Sequence, residues 1–490
     1  MISFTLNNLK RNFAGDPEES LLEHLRLEQK ITSPKDGCSG QGVCGACSVE
    51  INGKIRMACR MKMKDIRGAE VNTIEGLPKE FKNTLSKQFA EKGAVQCGFC
   101  SPGMIMRAKG LYNINTSPSR EEIKKAITPN LCRCTGYVKI IDAIEAAFGD
   151  LRGQNENKKQ RSALIGERYP KYQAVETALG LRDFVDDMRF DGMVHGALRF
   201  SDHPKAVVRE IDICEALKIE GVIRIFTAKD IPGSHYTGLV CPDWPLMIDV
   251  GETTRYIGDV IAGVVADTEA IARKAASLIN IRYEVLEPVT DMHQAARPDS
   301  ARVHPDRANV IETSAIRFGD TGKALREAAF VSSGIYETQR IEHAFLETET
   351  AIALPDETGI RLYTQGQGAY VDRKAVATLL DLPQEMVRVV QVQNGGGFGG
   401  KEDITVQGHA SLFAFMLKKP VRVHLTREES IIMHPKRHPV WMEISLACNS
   451  KGKLTGVKLN AVGDTGAYAS VGTKVMERVV GHATGGYTIP

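Results

Sequence analysis

Eight cysteines crowded into the first 134 of 490 residues limit this chain more than any other feature. They form two groups, Cys38, Cys44, Cys47 and Cys59, then Cys97, Cys100, Cys132 and Cys134; Cys214, Cys241 and Cys448 stand alone. Clustered thiols either pair as disulfides or hold metal. The opening Met1-Ile-Ser-Phe-Thr-Leu alternates like a strand and lacks the apolar core of a signal peptide. Metal ligation in a reducing compartment is therefore the reading, and it predicts a cytoplasmic protein. Two quartets imply two centres, and four cysteines are the ligand set of an iron–sulfur cluster. Structural zinc is the alternative, although it more often uses paired C-x₂-C knuckles.

The flanking residues predict how each quartet is built. Met1–Leu6 reads as a strand, Asn7-Asn8 as a turn and Asp16–Arg26 as a helix. The run from Gly37 to Cys47 sets three thiols on a glycine-rich loop, where backbone N–H groups can point at thiolate sulfurs. Ser48–Ile51, an Asn52-Gly53 type I′ turn and a return strand Lys54–Cys59 then bring the fourth cysteine back. Five residues separate Cys38 from Cys44, one more than the plant-type ferredoxin pattern. After Cys97-Gly98-Phe99-Cys100, the Ser101-Pro102 pair predicts a helix from Pro102 to about Tyr112. Ser119 and Glu122 make a capping box for a second helix ending near Thr128-Pro129, and Val138–Phe148 reads as a third. The Cys132-Arg133-Cys134 pair between them is strained as a zinc knuckle but suits adjacent irons.

Length predicts about three domains. With 63 basic and 60 acidic residues, the chain gives no electrostatic case for nucleic acid or a membrane surface. No apolar run reaches the roughly 18 residues of a transmembrane helix. Gly149–Lys159 is polar and reads as an exposed connector; beyond it strands and helices alternate, which predicts a mixed α+β region. The loop Asn394-Gly395-Gly396-Gly397-Phe398-Gly399-Gly400-Lys401-Glu402 follows a strand expected at Val387–Val392 and nearly matches a phosphate-binding P-loop. Glu402 takes the Ser/Thr position, however, and a carboxylate there repels phosphate. Taken singly, Glu402 also reads as a solvated helix-start charge, Gln365 as a helix-cap residue before Tyr370–Leu380, and Arg478 as a surface salt-bridge partner.

The runs Val95–Met104 and Asn130–Tyr137 resemble the second cluster of the xanthine dehydrogenase / aldehyde oxidoreductase family of molybdenum hydroxylases, and the first quartet resembles that family's ferredoxin-like domain. The wording from Ser33 to Cys44 is similar to the selenium-dependent xanthine dehydrogenase branch, which accounts for the extra residue. The starts at Ile165 and Phe184, and the run Arg255–Asp267, resemble its molybdenum-binding part. The resemblance implies an α+β multidomain chain. Its parts are a β-grasp ferredoxin-like [2Fe–2S] domain (1–76), an all-α four-helix [2Fe–2S] domain (77–148), a linker (149–164), an a/b hammerhead domain (165–290) and the first part of a mixed α/β molybdopterin-binding domain (291–490). All eight clustered cysteines become iron ligands. Gln96 and Cys134 lie against the pterin; Gly397, Phe398 and Gly399 present backbone to the cofactor; Gln365 stands near its oxo group, with Gln367 the alternative register. Glu402 and Arg478 face substrate. Having both favours a purine-like heterocycle over an aldehyde. Glu342-His343 and Leu346–Glu349 resemble the family too, His343 reading as a structural histidine.

The implied activity is hydroxylation of a heterocyclic carbon with water as the oxygen source, electrons leaving through both clusters. Implied cofactors are two [2Fe–2S] clusters and molybdenum-molybdopterin, with a cytosine dinucleotide form and selenium both compatible, and no FAD in this chain. Tyr487-Thr488-Ile489-Pro490 resembles a point midway through the family's molybdenum-binding part. The expectation is therefore a partner subunit or a truncation, with the catalytic glutamate outside these residues and a separate FAD subunit as a further partner. The competing readings are an electron-transfer subunit inactive alone, an aldehyde oxidoreductase and a zinc scaffold.

Overall fold

The computed structural model describes residues 1–154, 165–167, 169–357 and 359–490. The first unit is a five-stranded sheet in the order Leu9–Phe13, Ile2–Leu6, Glu70–Asn72, Ser48–Ile51, Lys54–Met57. Two-residue turns close both hairpins: Asn7 and Asn8 have φ of 48° and 66°, and Asn52 and Gly53 have 49° and 75°. Positive φ at both central residues is what a type I′ turn needs to match strand twist. Ile2–Leu6 pairs parallel to Glu70–Asn72. One face buries Ile2, Phe4, Phe13, Leu21, Leu25, Val49 and Val71. The helix expected at Asp16–Arg26 is shorter. Asp16 accepts the Glu18 N–H in a turn, Ser20 caps Leu21–Glu23, and a π turn follows over His24–Glu28.

Four helices make the second unit: Lys79–Lys92, Ser101–Tyr112, Arg120–Ile127 and Val138–Leu151. The predicted capping box is present, Ser119 and Glu122 each accepting the other's backbone N–H. Cys100, rather than Ser101, occupies the cap of the helix after Cys97–Cys100. The last helix runs to Leu151, so the connector expected from Gly149 begins as helix; residues 155–164 of it lie outside the described residues. The helices bury Phe81, Leu85, Phe89, Ile105, Ile140 and Ile144 in a core that also takes in Cys38 and Cys44 from the first unit and Phe184 and Leu346 from beyond. The two cysteine-bearing units and the rest of the chain thus share apolar packing.

The larger part is built on a seven-stranded mixed sheet in the order Val387–Gln391, Ile360–Thr364, Thr350–Pro355, Val421–His424, Val194–Phe200, Val260–Ala266, Val222–Phe226. Val421–His424 pairs parallel to Val194–Phe200, so strands on both sides of residue 290 share one sheet. Ala369–Leu380 and Val406–Leu417 pack on it around Phe226 and Phe413. A separate sheet of Phe330–Thr338, Val440–Cys448 and Leu454–Gly463 exposes Phe330, Val331, Ile335 and Tyr336.

Buried charges lock the units together. Arg26 meets Asp186 at 2.7 Å and Asp187 at 2.9 Å, and Lys35 also pairs with Asp187. Arg422 pairs with Asp186 and, at 2.6 Å, with Glu269; Arg273 bridges Glu269 at 2.8 Å and Glu429 at 2.6 Å. Such pairs survive burial because each charge has a partner.

Candidate functional site: two cysteine quartets and a glycine loop

The glycine-rich loop and hairpin carry Cys38, Cys44, Cys47 and Cys59 to one place. All four are buried and none is in a disulfide. Cys38 is hydrogen-bonded to the Cys44 and Cys59 thiols and to the backbone of Val43 and Cys44, contacts that hold it far below the usual thiol range. Cys47 neighbours Cys59. In the helical unit Cys134 Sγ lies 3.4 Å from Cys97 Sγ, and Cys132 takes hydrogen bonds from Cys100, Cys134 and Thr135, which likewise lower it. Zinc with Zn–S bonds of about 2.3 Å would draw its four sulfurs to within about 4 Å of one another. Among the described residues no three thiol sulfurs lie mutually within 4.8 Å. The donor set and its spread fit a two-iron cluster better than a single ion.

The two loops touch. Asn130 donates to Gly45 O at 2.8 Å, and Leu131 N–H donates to Cys44 O at 2.8 Å. The second quartet in turn touches the glycine loop, where Gln393 Nε2 donates to Cys97 O at 2.8 Å. Gln96 is exposed beside it, its carbonyl taken by Lys171, and Cys134 is half-buried. Arg427 binds Gly37 O at 2.9 Å and Leu346 O at 2.8 Å, tying the first cysteine loop to the larger part.

Inside the glycine loop, Gly395 N–H donates to Glu347 Oε2 at 2.6 Å. Burial pushes the Glu347 carboxyl up to about 7 against the opposing pull of Lys401. Lys401 is itself buried, donating to Glu347 O at 2.8 Å and to Gln365 Oε1. Gln365 also donates to Thr348 O at 2.6 Å, so its carboxamide is spent inside the scaffold beneath the loop. Gln367 is the exposed one, its Oε1 accepting from Gly399 N–H at 3.0 Å and Lys401 N–H at 3.2 Å. Phe398 and Gly399 have φ of 55° and 89°, and open space lies where a Gly399 Cβ would stand. Gly397 packs against the Gln367 side chain. The bare backbone at 398–399 facing open space, and the orphaned buried acceptors Gln393 Oε1 and Asn394 Oδ1, fit a polar cofactor edge approaching here.

Glu402 is exposed at the end of the loop and Arg478 on Gly472–Gly481; among the described residues no hydrogen bond or ion pair joins them. A cavity of about 1770 Å³ opens between Leu454–Gly463 and Gly472–Gly481 and is lined by Asp403 rather than by either.

Two thiol quartets wired to a glycine loop on an α+β scaffold define an iron–sulfur protein of the cofactor-dependent redox class. The chain matches a 2Fe-2S iron-sulfur cluster binding domain over 18–83, a [2Fe-2S] binding domain over 73–145, an aldehyde oxidase and xanthine dehydrogenase a/b hammerhead domain over 180–287, and a molybdopterin cofactor-binding domain over 303–490. It is 34% identical to a nicotinate dehydrogenase large molybdopterin subunit of Eubacterium barkeri, over 67% of this chain and 76% of that one. It is 32% identical to an aldehyde oxidoreductase of Megalodesulfovibrio gigas over 99% of this chain and 56% of that one. It is 30% identical to a xanthine dehydrogenase molybdenum-binding subunit of Escherichia coli O157:H7, over 62% of this chain and 42% of that one. A solved aldehyde oxidoreductase from Desulfovibrio gigas superposes with a TM-score of 0.94 at 30% identity, covering 100% of this chain and 57% of that one. The chain belongs to the xanthine dehydrogenase / aldehyde oxidoreductase family of molybdenum hydroxylases. It spans about half the length of the aldehyde oxidoreductase and less of the molybdenum-binding subunit.

Proposed function

We propose that the chain is the electron-conducting and cofactor-holding part of a hydroxylase that oxidises a purine-like heterocycle. The observation that carries this is the continuous contact from glycine loop to second quartet to first quartet, through Gln393–Cys97 and Asn130–Gly45. Cys38, Cys44, Cys47 and Cys59 hold one [2Fe–2S] cluster, and Cys97, Cys100, Cys132 and Cys134 the other. Molybdenum-molybdopterin supplies the two-electron oxidation, with water as the oxygen source. Gln96, Cys134, Gly397, Phe398 and Gly399 hold its near edge. Gln367 is the carboxamide that faces it, and Gln365 is the buried support that fixes Lys401 beneath. Glu402 and Arg478 orient and polarise substrate, a carboxylate and a fork of donors suiting a ring with N–H and carbonyl groups. Cys97, Cys100, Cys132 and Cys134 would hold the cluster beside the cofactor edge, and Cys38, Cys44, Cys47 and Cys59 the one that would face an FAD subunit or other carrier. A second polypeptide segment completes the cofactor domain and brings the general base. The domains divide near residues 76, 148 and 164, whereas the division expected at 290 cuts between strands that share the seven-stranded sheet.

Metal analysis and electron paramagnetic resonance test this. The purified chain holds about four irons, and its reduced form shows two cluster signals. Cys97→Ser and Cys38→Ser each remove a different one. Zinc in place of iron, or one signal only, overturns the reading. Similarity to the aldehyde oxidoreductase over 99% of the chain favours aldehyde as the other substrate class. In the completed enzyme, Arg478→Met lowers kcat/KM for xanthine about a hundredfold if the purine reading holds; an unchanged value, with aldehyde turned over, decides for the alternative.

A further inference from the structure

Beside the glycine loop lies a cluster of groups that the redox chemistry does not use. Glu342, His343 and His434 each place one ligand atom within 4.8 Å of the others. An isolated bridge between Ile341 and Arg437 holds the two segments together. The His434 side chain is fully buried, with Nε2 2.7 Å from Glu342 Oε1 and Nδ1 3.1 Å from Glu349 Oε1. Both are charge-assisted contacts; against the cost of burial, the two carboxylates hold the His434 imidazole above its ordinary range, whereas His343 Nδ1 has no hydrogen-bond partner. A buried imidazole nitrogen left without a partner costs about 1–3 kcal/mol, and one that lies beside a carboxylate and a second imidazole suits a ligand converging on a cation.

We infer that Glu342, His343 and His434 form a binding site for a first-row divalent cation such as zinc. Two imidazoles and one carboxylate are a borderline donor set that zinc accepts, with an open fourth position. Glu349 sits on the second nitrogen of His434, where a carboxylate orients a metal-binding imidazole. Lys436 Nζ, 2.8 Å from Glu342 Oε2, is a competing cation, and the proton that the two carboxylates favour on His434 must leave when metal binds. The site is placed to brace both redox elements. Arg133, between Cys132 and Cys134, donates to His343 O at 2.9 Å and Glu342 O at 3.1 Å, and a Cβ on Gly400 would meet His343 Nδ1 at 2.8 Å.

The test uses the chain with iron in both quartets. Zinc is titrated calorimetrically, and zinc-edge anomalous diffraction locates the ion. One zinc per chain is expected, about 2.0–2.2 Å from His343, His434 and Glu342. His343→Ala and Glu342→Gln each weaken binding at least tenfold, Glu349→Gln does so by about 10- to 100-fold, and Lys436→Met tightens it several-fold by removing the rival ammonium. A peak elsewhere, no peak, or weaker binding in Lys436→Met overturns the site.

Discussion

At the scale of single residues, Glu347 is the most informative group. Its carboxyl titrates near 7 in the folded chain against 4.5 in the open chain, because burial disfavours the charge. The folded state therefore binds this proton more tightly. The associated stability is fully present below about pH 4.5 and is lost as pH rises through 7. The loss amounts to about 3 kcal/mol. Glu347→Gln is expected to flatten the part of the stability–pH curve between pH 5 and 8 that this group contributes, read as the difference in Tm between variant and parent. Sequence pointed to the neighbourhood but not to the role. Position marked Gln365, with Gln367 as its alternative; only the side-chain directions tell them apart, Gln365 turned under Lys401 and Gln367 turned out to Gly399. A two-residue register difference is invisible to composition, whereas cysteine spacing is not, which is why the gathering of each quartet could be read from the sequence while the choice between Gln365 and Gln367 turns on side-chain direction.

Among the elements, the glycine loop separates packing from backbone freedom. A Cβ on Gly395 would lie 2.3 Å from Glu347 Cβ and 3.0 Å from Phe99, so Gly395→Ala pushes the loop off its support at a cost of about 1–3 kcal/mol. Gly399 meets nothing, but its φ of 89° still makes alanine strained by about 1–3 kcal/mol. Thermal unfolding checks both, and cofactor content is expected to fall more for Gly399→Ala, whose new methyl points into the open space. Elements with strong local punctuation were readable: the Asn-Asn and Asn-Gly hairpins and the Ser119–Glu122 box. Lys79–Lys92 was not, because Pro78 precedes it with no capping side chain and its apolar face of Phe81, Leu85 and Phe89 is thin. Its stability comes from packing against Val138–Leu151, a tertiary fact. The π turn at His24–Glu28 is likewise tertiary, since Arg26 within it is drawn to Asp186.

For the whole molecule, the buried charge network sets how the iron–sulfur units sit on the larger part. Removing Arg422 leaves Asp186 and Glu269 short of a partner in the interior, which costs about 3–5 kcal/mol. Arg422→Met is expected to lower Tm accordingly. Added salt does not reproduce the effect, because buried pairs are poorly screened. Asp186 is held well below the usual carboxylate range, against the cost of burial, by Arg422 and Arg26. The stability it lends is present above the ordinary carboxylate range and declines as acid protonates it. Partners 160 and 236 residues apart leave no local signature, so this lock could be found only in the fold.

Cys38 and Cys44 lie within the same apolar core as Phe184 and Leu346, and little of either sulfur reaches solvent. With both thiols covered by the larger part, the first quartet is expected to take up iron faster in a chain whose ferredoxin-like unit is undocked; the rate at which Cys38 and Cys44 are alkylated in the metal-free chain, intact and with Arg422→Met, checks it.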